Sequence, residues 1–550
     1  MLRLKLDVNA LILSPSHVAG NHAQTFLNAP LTSEAMAEKS AQFERLISYI
    51  SSKGFVFGPE PEIYGGLAGF YTYGPLGKLL KHNVEQAIRR VFSHHDLYEV
   101  ECPSVMPKIV WEASGHLGGF TDPLISCSAC KANFRLDHIV AEKLPNEVLA
   151  GKKSDELASL VVKHKILCPS CGGKFQEKAK DHTLMMRTTI GVDTDAYNRP
   201  ETATTTYLPF PRYFRFFREK LPFGVFQIGK AFRNEISPRQ HMLRCREFTQ
   251  AEGQLFIYED QKQTFVPFAE IQGLSLPLWD EKEQKANKSP KQITLKEAVS
   301  SKLLGSKAYA WTLHLAYELF VSMGIPKDRL RLRQHHSDEK AFYAKDAWDI
   351  EVYTNSFGWV ECCGVHDRGD YDLTQHEKFS KTELKGQDQE HKKQTPHILE
   401  IAFGTDRPCF ALMDLFYSSK EDNKERDLFA IPKRLAPVQV AVLPLVNKLE
   451  TEALHAHKLL KNSFQTMYDR SGSVGRRYAR MDEIGVPYCV TIDFDSRKNN
   501  TVTVRCRDTT KQVRVPMERI AETIKALLDN RIEFSEAGQE VTAAPKEDAE

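Results

Sequence analysis

The 550-residue chain lacks three features that would each point to a class of protein. It has no apolar run approaching the roughly 20 residues of a membrane-spanning helix, so an integral membrane protein is not expected. Its net charge is only +2, so overall charge gives no support for nucleic-acid binding, although a local basic surface remains compatible with it. Its 11 cysteines do not suggest a disulfide framework in so long a chain, which favours a reducing, cytoplasmic location.

Length and local composition predict a soluble protein of roughly three or four domains. The predicted regions are an N-terminal extension (1–40), a large α+β region (41–434), a compact α/β domain (435–532) and a disordered acidic tail (533–550). We expect the extension to be disordered or strand-like, with a weak organellar presequence as the alternative. Within the large region, residues 127–175 form a cysteine-bracketed insertion, and the polar residues 259–305 predict a variable loop or small lobe.

Helical and strand-like patterns place the main elements. A helix is expected over residues 38–52, and a long one follows the GPLG segment at residues 74–77, because apolar residues recur there at helical spacing. From residue 436 onward, strand-like and helix-like segments alternate and end in a helix at 517–528, which is typical of an α/β domain.

Two CxxC pairs, Cys127/Cys130 and Cys168/Cys171, lie on the same insertion. Each pair places two thiolates on a tight turn, and two such turns complete a tetrahedral zinc site. Four protein ligands leave no open position for water, so the ion would be structural. Two coincidental pairs of small buried residues are the alternative.

Residues 223–257 contain two strand-like runs with a basic connection, which predicts an antiparallel pair. Alternate strand residues share a face, and one face carries Arg233 and Glu235 from the first run and Arg246, Gln250 and Glu252 from the second. Arginines suit phosphate oxygens, and Phe248 suits a nucleotide base. A solvated face with incidental ion pairs is the alternative.

A second candidate is a strand-to-helix corner. Glu400 lies on a strand that Gly404 ends, and Thr405 or Asp406 is suited to cap the helix that follows. Arg407 therefore lies at a corner from which its guanidinium can meet a phosphate. Capping of surface carboxylates is the alternative reading of this arginine.

Together these segments resemble class II aminoacyl-tRNA synthetases. The helix after GPLG resembles motif 1, FRNE through REFTQAE resembles motif 2, and FGTDR resembles motif 3. Further blocks, among them EIYGGLAGFYTYGPLG, SGHLGGFTDP, RPETA and DRGDYDL, resemble homodimeric glycyl-tRNA synthetases, and the cysteine pairs resemble the archaeal type. The similarity runs from about residue 54 to residue 528.

The resemblance implies an α+β fold: a six-stranded antiparallel catalytic sheet flanked by helices, with a zinc-knuckle-like insertion and a C-terminal α/β anticodon-binding domain. It implies a homodimer with motif 1 at the interface. It also implies activation of glycine with ATP and Mg²⁺ to glycyl-adenylate, and transfer of glycine to tRNA(Gly).

Site residues follow from the same resemblance. Catalytic roles are implied for Arg233 at the α-phosphate, Glu235 at the adenine amino group and Arg407 at the γ-phosphate. The other ATP-binding residues implied are Asn234, Leu243, Arg244, Arg246, Glu247, Phe248, Glu361, Cys362 and Gly404. The glycine-binding residues implied are Arg135, Glu201, Gln250, Glu252, Arg368, Glu400 and Ala402. Glu361 is the candidate for magnesium contact, and Glu201, Glu252 and Glu400 would hold the α-ammonium group.

The chain departs from the family pattern near the glycine end. Ala402 stands where the family has a serine, and Thr204 stands where it has a glutamine. Loss of one hydrogen bond, typically about 0.5–1.5 kcal/mol, predicts glycine binding weakened several-fold but not abolished.

Three alternatives remain open from sequence. They are a non-catalytic class II-like protein such as a polymerase accessory subunit, a zinc-bearing RNA-binding module without ATP turnover, and a synthetase of altered amino-acid preference.

In the C-terminal domain, candidate tRNA phosphate contacts are Arg476, Arg477, Arg480, Arg505 and Arg507. A solvated arginine-rich face accounts for them equally well.

Overall fold

The computed structural model describes residues 33–541 except 145–146, 148, 150–151, 239, 338, 340–343, 388–391 and 424–425. Most of the predicted N-terminal extension, and residues 542–550 of the predicted tail, therefore lie outside the described residues. Within the described ranges, no helix combines the length and the apolar character that crossing a membrane requires.

A nine-stranded sheet forms the centre of the larger domain. Its strands in chain order are β1 Leu97–Glu99, β2 Phe223–Phe232, β3 Glu247–Ile257, β4 Ser275–Trp279, β5 Lys291–Thr294, β6 Leu330–Gln334, β7 Asp346–Thr354, β8 Gly358–Gly369 and β9 His397–Gly404. The spatial order is β5-β4-β6-β7-β8-β9-β3-β2-β1. Each of the six strands from β6 to β2 is antiparallel to its neighbours within that group. The six-stranded antiparallel sheet implied by the resemblance is confirmed.

Strands β4 and β5 correct the expectation for residues 259–305. The predicted loop or small lobe instead extends the central sheet, because β4 pairs in parallel with β6 and β5 pairs with β4. Leu276 and Leu278 of β4 are buried in the main core. The polar composition concealed these strands because β5 is an edge strand, where charged side chains on a solvated face are common.

Four helices pack around this sheet: α1 Ser33–Ser52, α2 Pro75–His94, α3 Lys307–Ser322 and α4 Asp406–Phe416. Proline at the first turn of α2 suits a position whose N–H needs no helical partner. The apolar stripe predicted for α2 is buried, with Leu80, Val84 and Ile88 in the main core. Shorter helices at the rim of the sheet are Lys108–Ala113, Ala203–Tyr207, Phe210–Phe216 and Tyr371–Ser380.

The cysteine-bracketed insertion has its own small core. Strands Thr121–Ser126, Asn133–Arg135 and Lys180–Thr183 form a three-stranded sheet, and helices Leu136–Lys143 and Ser154–Lys163 cover it. A separate three-stranded sheet, made of Val105–Pro107, Met186–Ile190 and Thr194–Asn198, lies beside it in sequence.

The C-terminal domain is the α/β unit that the sequence predicts. Strands β10 Val440–Pro444, β11 Thr466–Tyr468, β12 Tyr488–Ile492, β13 Thr501–Cys506, β14 Gln512–Pro516 and β15 Gln539–Glu540 form a six-stranded sheet, with helices α5 Glu450–Lys461, α6 Val474–Glu483 and α7 Ile520–Leu528. Strand β15 corrects the expected start of the tail at residue 533. Residues 539 and 540, which the prediction placed in the tail, instead pair with β14 at the edge of the sheet.

Three of the five candidate phosphate-binding arginines are buried instead. Arg507 donates to the carbonyls of Phe429, Gly485 and Ile431, and Arg505 makes a two-bond pair with Asp482. Arg477 donates to carbonyls at the end of β10. These guanidinium groups satisfy internal acceptors, so the prediction that they contact phosphate is wrong. Arg476 remains exposed, and Arg480 pairs with Asp469 at the surface.

Candidate active site

One face of the central sheet is polar where β3, β9 and β8 lie side by side. Gln250, Glu252 and Gln254 of β3 are opposite Gly404, Ala402 and Glu400 of β9. On the other side of β9, Ala402 and Glu400 are opposite Gly364 and His366 of β8. Directly opposed residues share a face of a sheet, so these side chains form one polar strip. The face predicted from strand alternation is therefore present.

Three glutamates meet at this strip. Glu252 and Glu400 are almost completely buried, and the Glu201 side chain is 14% exposed. Glu252 accepts a hydrogen bond from Thr202 Oγ1 at 2.7 Å, and Glu400 accepts one from the Tyr207 hydroxyl at 2.8 Å. The segment 201–207 therefore brings Glu201 to the sheet and supplies donors to its two neighbours.

These carboxylates have unequal proton affinities. Burial raises the pKa of Glu252 well above its usual value, and the charges of Glu400 and Glu201 raise it further. Burial also opposes ionisation of Glu400, but Arg368 and His366 outweigh it and lower the pKa to about 2. The pKa of Glu201 is lowered too, because His116 at 3.6 Å more than offsets burial. The strip thus holds two carboxylates whose pKa is lowered, Glu201 and Glu400, beside Glu252, whose pKa is raised.

Arg368 is a buried cation that contacts Glu400 of the strip. Its guanidinium makes two hydrogen bonds to Asp372, at 2.7 and 2.8 Å, and lies 3.2 Å from Glu400 Oε1. The side chain is 4% exposed, so it is a fixed charge for the neighbouring carboxylates. Gln250, also predicted here, is buried, and among the described residues its Oε1 has no hydrogen-bond partner.

Arg233 follows directly after β2 and lies between two aromatic rings. Its guanidinium carbon is 5.4 Å from the ring centres of both Phe120 and Phe248. Nε donates to the Pro200 carbonyl at 3.1 Å, and within the described part of the chain the two terminal nitrogens have no acceptor, so they can bind an anion. Cation–π contacts of this kind fix the orientation of an arginine without neutralising it.

Arg407 occupies the first turn of α4. It donates to the Glu361 carbonyl at 2.6 Å and to the Glu361 carboxylate at 3.1 Å. The Glu361 side chain is 57% exposed, so this pair lies at the open edge of the polar face. Leu243 accepts a longer bond from Arg407 Nε through its carbonyl oxygen, at 3.4 Å.

Asp406, next to Arg407, is the centre of a buried network. One carboxylate oxygen accepts hydrogen bonds from Lys81 Nζ at 2.6 Å and from the Tyr73 hydroxyl, and the other accepts from the Thr249 amide at 2.9 Å. Lys81 also donates to Thr249 Oγ1 at 2.9 Å. Asp406 therefore ties α2 and β3 together rather than capping α4 with its side chain. Burial opposes both charges, but their mutual attraction lowers the pKa of Asp406 and raises that of Lys81.

The remaining predicted ATP-binding residues contact neighbouring groups of the protein. Glu235 is buried and pairs with Arg244 Nε at 3.2 Å, while Arg246 donates to the Glu235 carbonyl. The Asn234 carbonyl accepts from His182, and Glu247 pairs with Lys230. Gly404 lies beside the Phe248 ring, which a β-carbon would contact at 3.7 Å.

Two predicted residues lie away from the strip. The Cys362 side chain is in the main core, where burial raises its pKa to about 12. Arg135 pairs with Asp122 at 3.0 Å and with Asp137 at 2.5 Å in the cysteine-bracketed insertion. In the described ranges, no contact joins Arg135 to the three glutamates.

Sequence reasoning missed several partners of these groups. His116, Tyr207 and His366 each contact one of the glutamates. His116 and His366 adjoin or lie in segments that carry the resemblance, yet their side chains meet the strip only through tertiary packing. The sequence does not indicate a buried role for Lys81, because a lysine on a helix is ordinarily solvated.

The four cysteines come together at one end of the insertion, with all sulfur atoms within 4.8 Å of one another. Cys127 Sγ is 3.5 Å from Cys171 Sγ, and Cys130 Sγ is 3.8 Å from Cys168 Sγ. A tetrahedral zinc ion with Zn–S bonds of about 2.3 Å requires sulfurs about 3.8 Å apart, so this donor set fits zinc. Gly173 allows the approach, because a β-carbon there would lie 3.2 Å from one of these sulfurs.

Comparison with known proteins agrees with this architecture. Residues 439–527 match the family model described as an anticodon binding domain. The chain is 37% identical over 574 residues to the glycine–tRNA ligase of Thermococcus gammatolerans, covering 90% of this chain and 100% of that protein. It is 37% identical over 571 residues to that of Pyrococcus furiosus (89% and 100%), and 36% over 578 residues to that of Methanococcus vannielii (88% and 100%).

Proposed function

The chain belongs to the glycine–tRNA ligase family, and on that premise we propose that it activates glycine with ATP to glycyl-adenylate and transfers glycine to the 3′ end of tRNA(Gly). The observation that carries this proposal is the meeting of Glu201, Glu252 and Glu400 on the polar face of the sheet whose strand β2 leads into Arg233 and whose strand β9 leads into Arg407. One end of this site suits a small cation, and the other suits phosphate.

The glutamates account for recognition of the amino acid. The α-ammonium of glycine has three N–H donors and a positive charge, which buried carboxylates satisfy. Its positive charge favours the ionised form of Glu252 and so opposes the effect of burial on the pKa of that carboxyl. Every competing amino acid carries a side chain, so a closely packed pocket rejects it by collision, and no editing domain is required. Gln250 and Ala402 border this end, and we expect Arg368 to position Glu400.

The nucleotide end follows from the two arginines. We assign Arg233 to the α-phosphate and Arg407 to the γ-phosphate, with Phe248 against the adenine ring and Glu235 at its amino group. Glu361 is exposed beside Arg407 and offers the carboxylate oxygen that Mg²⁺ prefers, and the ion would neutralise phosphate charge. On binding ATP, Arg407 exchanges its contact with Glu361 for phosphate oxygens.

Catalysis is then positioning and charge neutralisation. The glycine carboxylate attacks the α-phosphorus in line, and pyrophosphate leaves. Arg233 stabilises the negative charge that develops on the α-phosphate oxygens, and it does so from a fixed orientation because Phe120 and Phe248 hold its guanidinium. The glycyl group next passes to a ribose hydroxyl of the terminal adenosine of tRNA. No side chain is assigned as a general base for that step.

We further propose that the four cysteines bind one structural zinc ion, which would order the insertion. We propose a homodimer with α2 near the interface, tRNA contact through the C-terminal domain, and a cytoplasmic location. Support for the last comes from the 11 cysteines, all of which are unpaired as disulfides.

The test is amino-acid-dependent exchange of labelled pyrophosphate into ATP, measured across all twenty amino acids. We expect exchange with glycine only, and its loss in Arg233→Ala. Arg476→Ala, which changes an exposed arginine outside the site, is the matched control and should exchange normally. Folded, zinc-loaded protein that exchanges with no amino acid would refute the proposal and favour a non-catalytic RNA-binding protein.

A further inference from the structure

The polar strip contains a histidine beside its glutamates. His366 lies on β8 with its Nδ1 atom 3.1 Å from Glu400 Oε1, and its side chain is 18% exposed. The ring lies over Gly364, where a β-carbon would be 2.6 Å from Cε1 and 3.3 Å from Nε2. A residue with a side chain at position 364 would therefore displace the imidazole.

The strand register places this ring beside the glycine end. Gly364 is directly opposite Ala402, and Ala402 is opposite Glu252 on its other side. His366 itself is opposite Glu400. The imidazole edge that carries Nε2 thus covers the part of the sheet next to Ala402, whose methyl group offers no hydrogen bond.

The contact with Glu400 assigns the donor role to Nδ1, because a carboxylate accepts hydrogen bonds. In the neutral imidazole, Nε2 is then the nitrogen that can accept one. Among the described residues, Nε2 has no hydrogen-bond partner. An acceptor held in one orientation beside two buried glutamates suits an ammonium donor.

We infer that His366 is a glycine-binding residue, whose Nε2 accepts a hydrogen bond from the α-ammonium group in place of the acceptor that Ala402 lacks. The inference rests on the proposed function. It explains how the strip keeps a full set of acceptors for the three N–H donors without a hydroxyl at position 402.

The test compares two substitutions that separate the ring nitrogens. In His366→Asn, the amide occupies the place of Nδ1 and keeps the contact with Glu400 but removes Nε2. In His366→Gln, the longer amide can place its oxygen near the position of Nε2. We expect His366→Asn to raise the KM for glycine about tenfold, as for the loss of one hydrogen bond to a charged group, with kcat and the KM for ATP unchanged.

The rescue and control variants complete the experiment. His366→Gln should recover much of the glycine affinity, as should the double variant His366→Asn with Ala402→Ser. His455→Asn, at an exposed histidine of the C-terminal domain, should have no effect. An unchanged KM for glycine in His366→Asn would overturn the inference while leaving the proposed function intact. So would a fall in kcat and a rise in the KM for ATP that are as large as the rise in the KM for glycine. Absence of glycine-dependent exchange in the unsubstituted protein would overturn both.

Discussion

Replacing Lys81 with methionine should destabilise the larger domain and weaken ATP binding together. Lys81 and Asp406 are 3% and 5% exposed and lie 2.6 Å apart, so methionine leaves a buried carboxylate without its cation. Breaking a buried ion pair on one side costs about 3–5 kcal/mol. We expect about 3 kcal/mol, the lower end, because Tyr73 and Thr249 still donate to Asp406.

The functional effect follows from the neighbours of this network. Asp406 precedes Arg407, and Thr249 follows Phe248, so displacement of either moves a proposed nucleotide contact. The KM for ATP should rise several-fold in Lys81→Met, with a smaller change in the KM for glycine. Lys78→Met is the matched control, because the Lys78 side chain is 62% exposed and lies 4.0 Å from its nearest carboxylate.

Urea unfolding followed by tryptophan fluorescence measures the stability, since all five tryptophans lie in the larger domain. The double variant Lys81→Met with Asp406→Asn should recover part of the loss, because the unpaired charge is gone. The loss in Lys81→Met should also shrink as pH falls below the unfolded-state pKa of about 3.9, because the lowered native pKa of Asp406 makes the stability contributed by its ion pair disappear from there downward. A single variant as stable as the unsubstituted protein, or a double variant no better than the single, would refute this reasoning.

Three further predictions concern other parts of the chain. Cys168→Ser should abolish the binding of one zinc ion per chain, measured by elemental analysis, and should expose the insertion to proteolysis; full zinc content would contradict it. Glu252→Gln should abolish glycine-dependent exchange yet stabilise the ligand-free protein at neutral pH. The native pKa of Glu252 is raised, so this carboxyl destabilises the folded protein increasingly as pH rises above its unfolded-state pKa of about 4.3, and glutamine removes that penalty. A gain in stability that is equally large at pH 4 would contradict this prediction. Arg477→Ala should lower the stability of the C-terminal domain by about 1–3 kcal/mol through orphaned carbonyls, whereas Arg476→Ala should change only tRNA affinity; the reverse pattern, measured by unfolding and filter binding, would show that Arg477 is a surface contact.

The parts of the site that sequence predicted share a local origin. Strand alternation places Gln250 and Glu252 on one face without knowledge of any other strand. The CxxC spacing similarly brings two thiolates together on one turn. In both cases the interacting residues are close in sequence, so their spacing alone predicts how they are arranged.

The parts that sequence did not predict depend on distant pairing. Lys81 meets Asp406 across 325 positions, and His366 meets Glu400 only through the register of β8 and β9. Strand β5 was missed because its polar side chains suit an edge as well as a loop. Arg507 was misassigned because the carbonyls that it satisfies come from segments far from it in sequence.

The most direct measurement of the central claim is charging of tRNA(Gly) with labelled glycine by the purified protein. We expect acid-precipitable glycyl-tRNA that requires ATP, is not formed with labelled alanine, and falls to background in Arg407→Ala while Lys78→Met charges normally. Charging that persists unchanged in Arg407→Ala, or the absence of charging by the unsubstituted protein with an active tRNA(Gly), would contradict the assignment of this polar face as the active site.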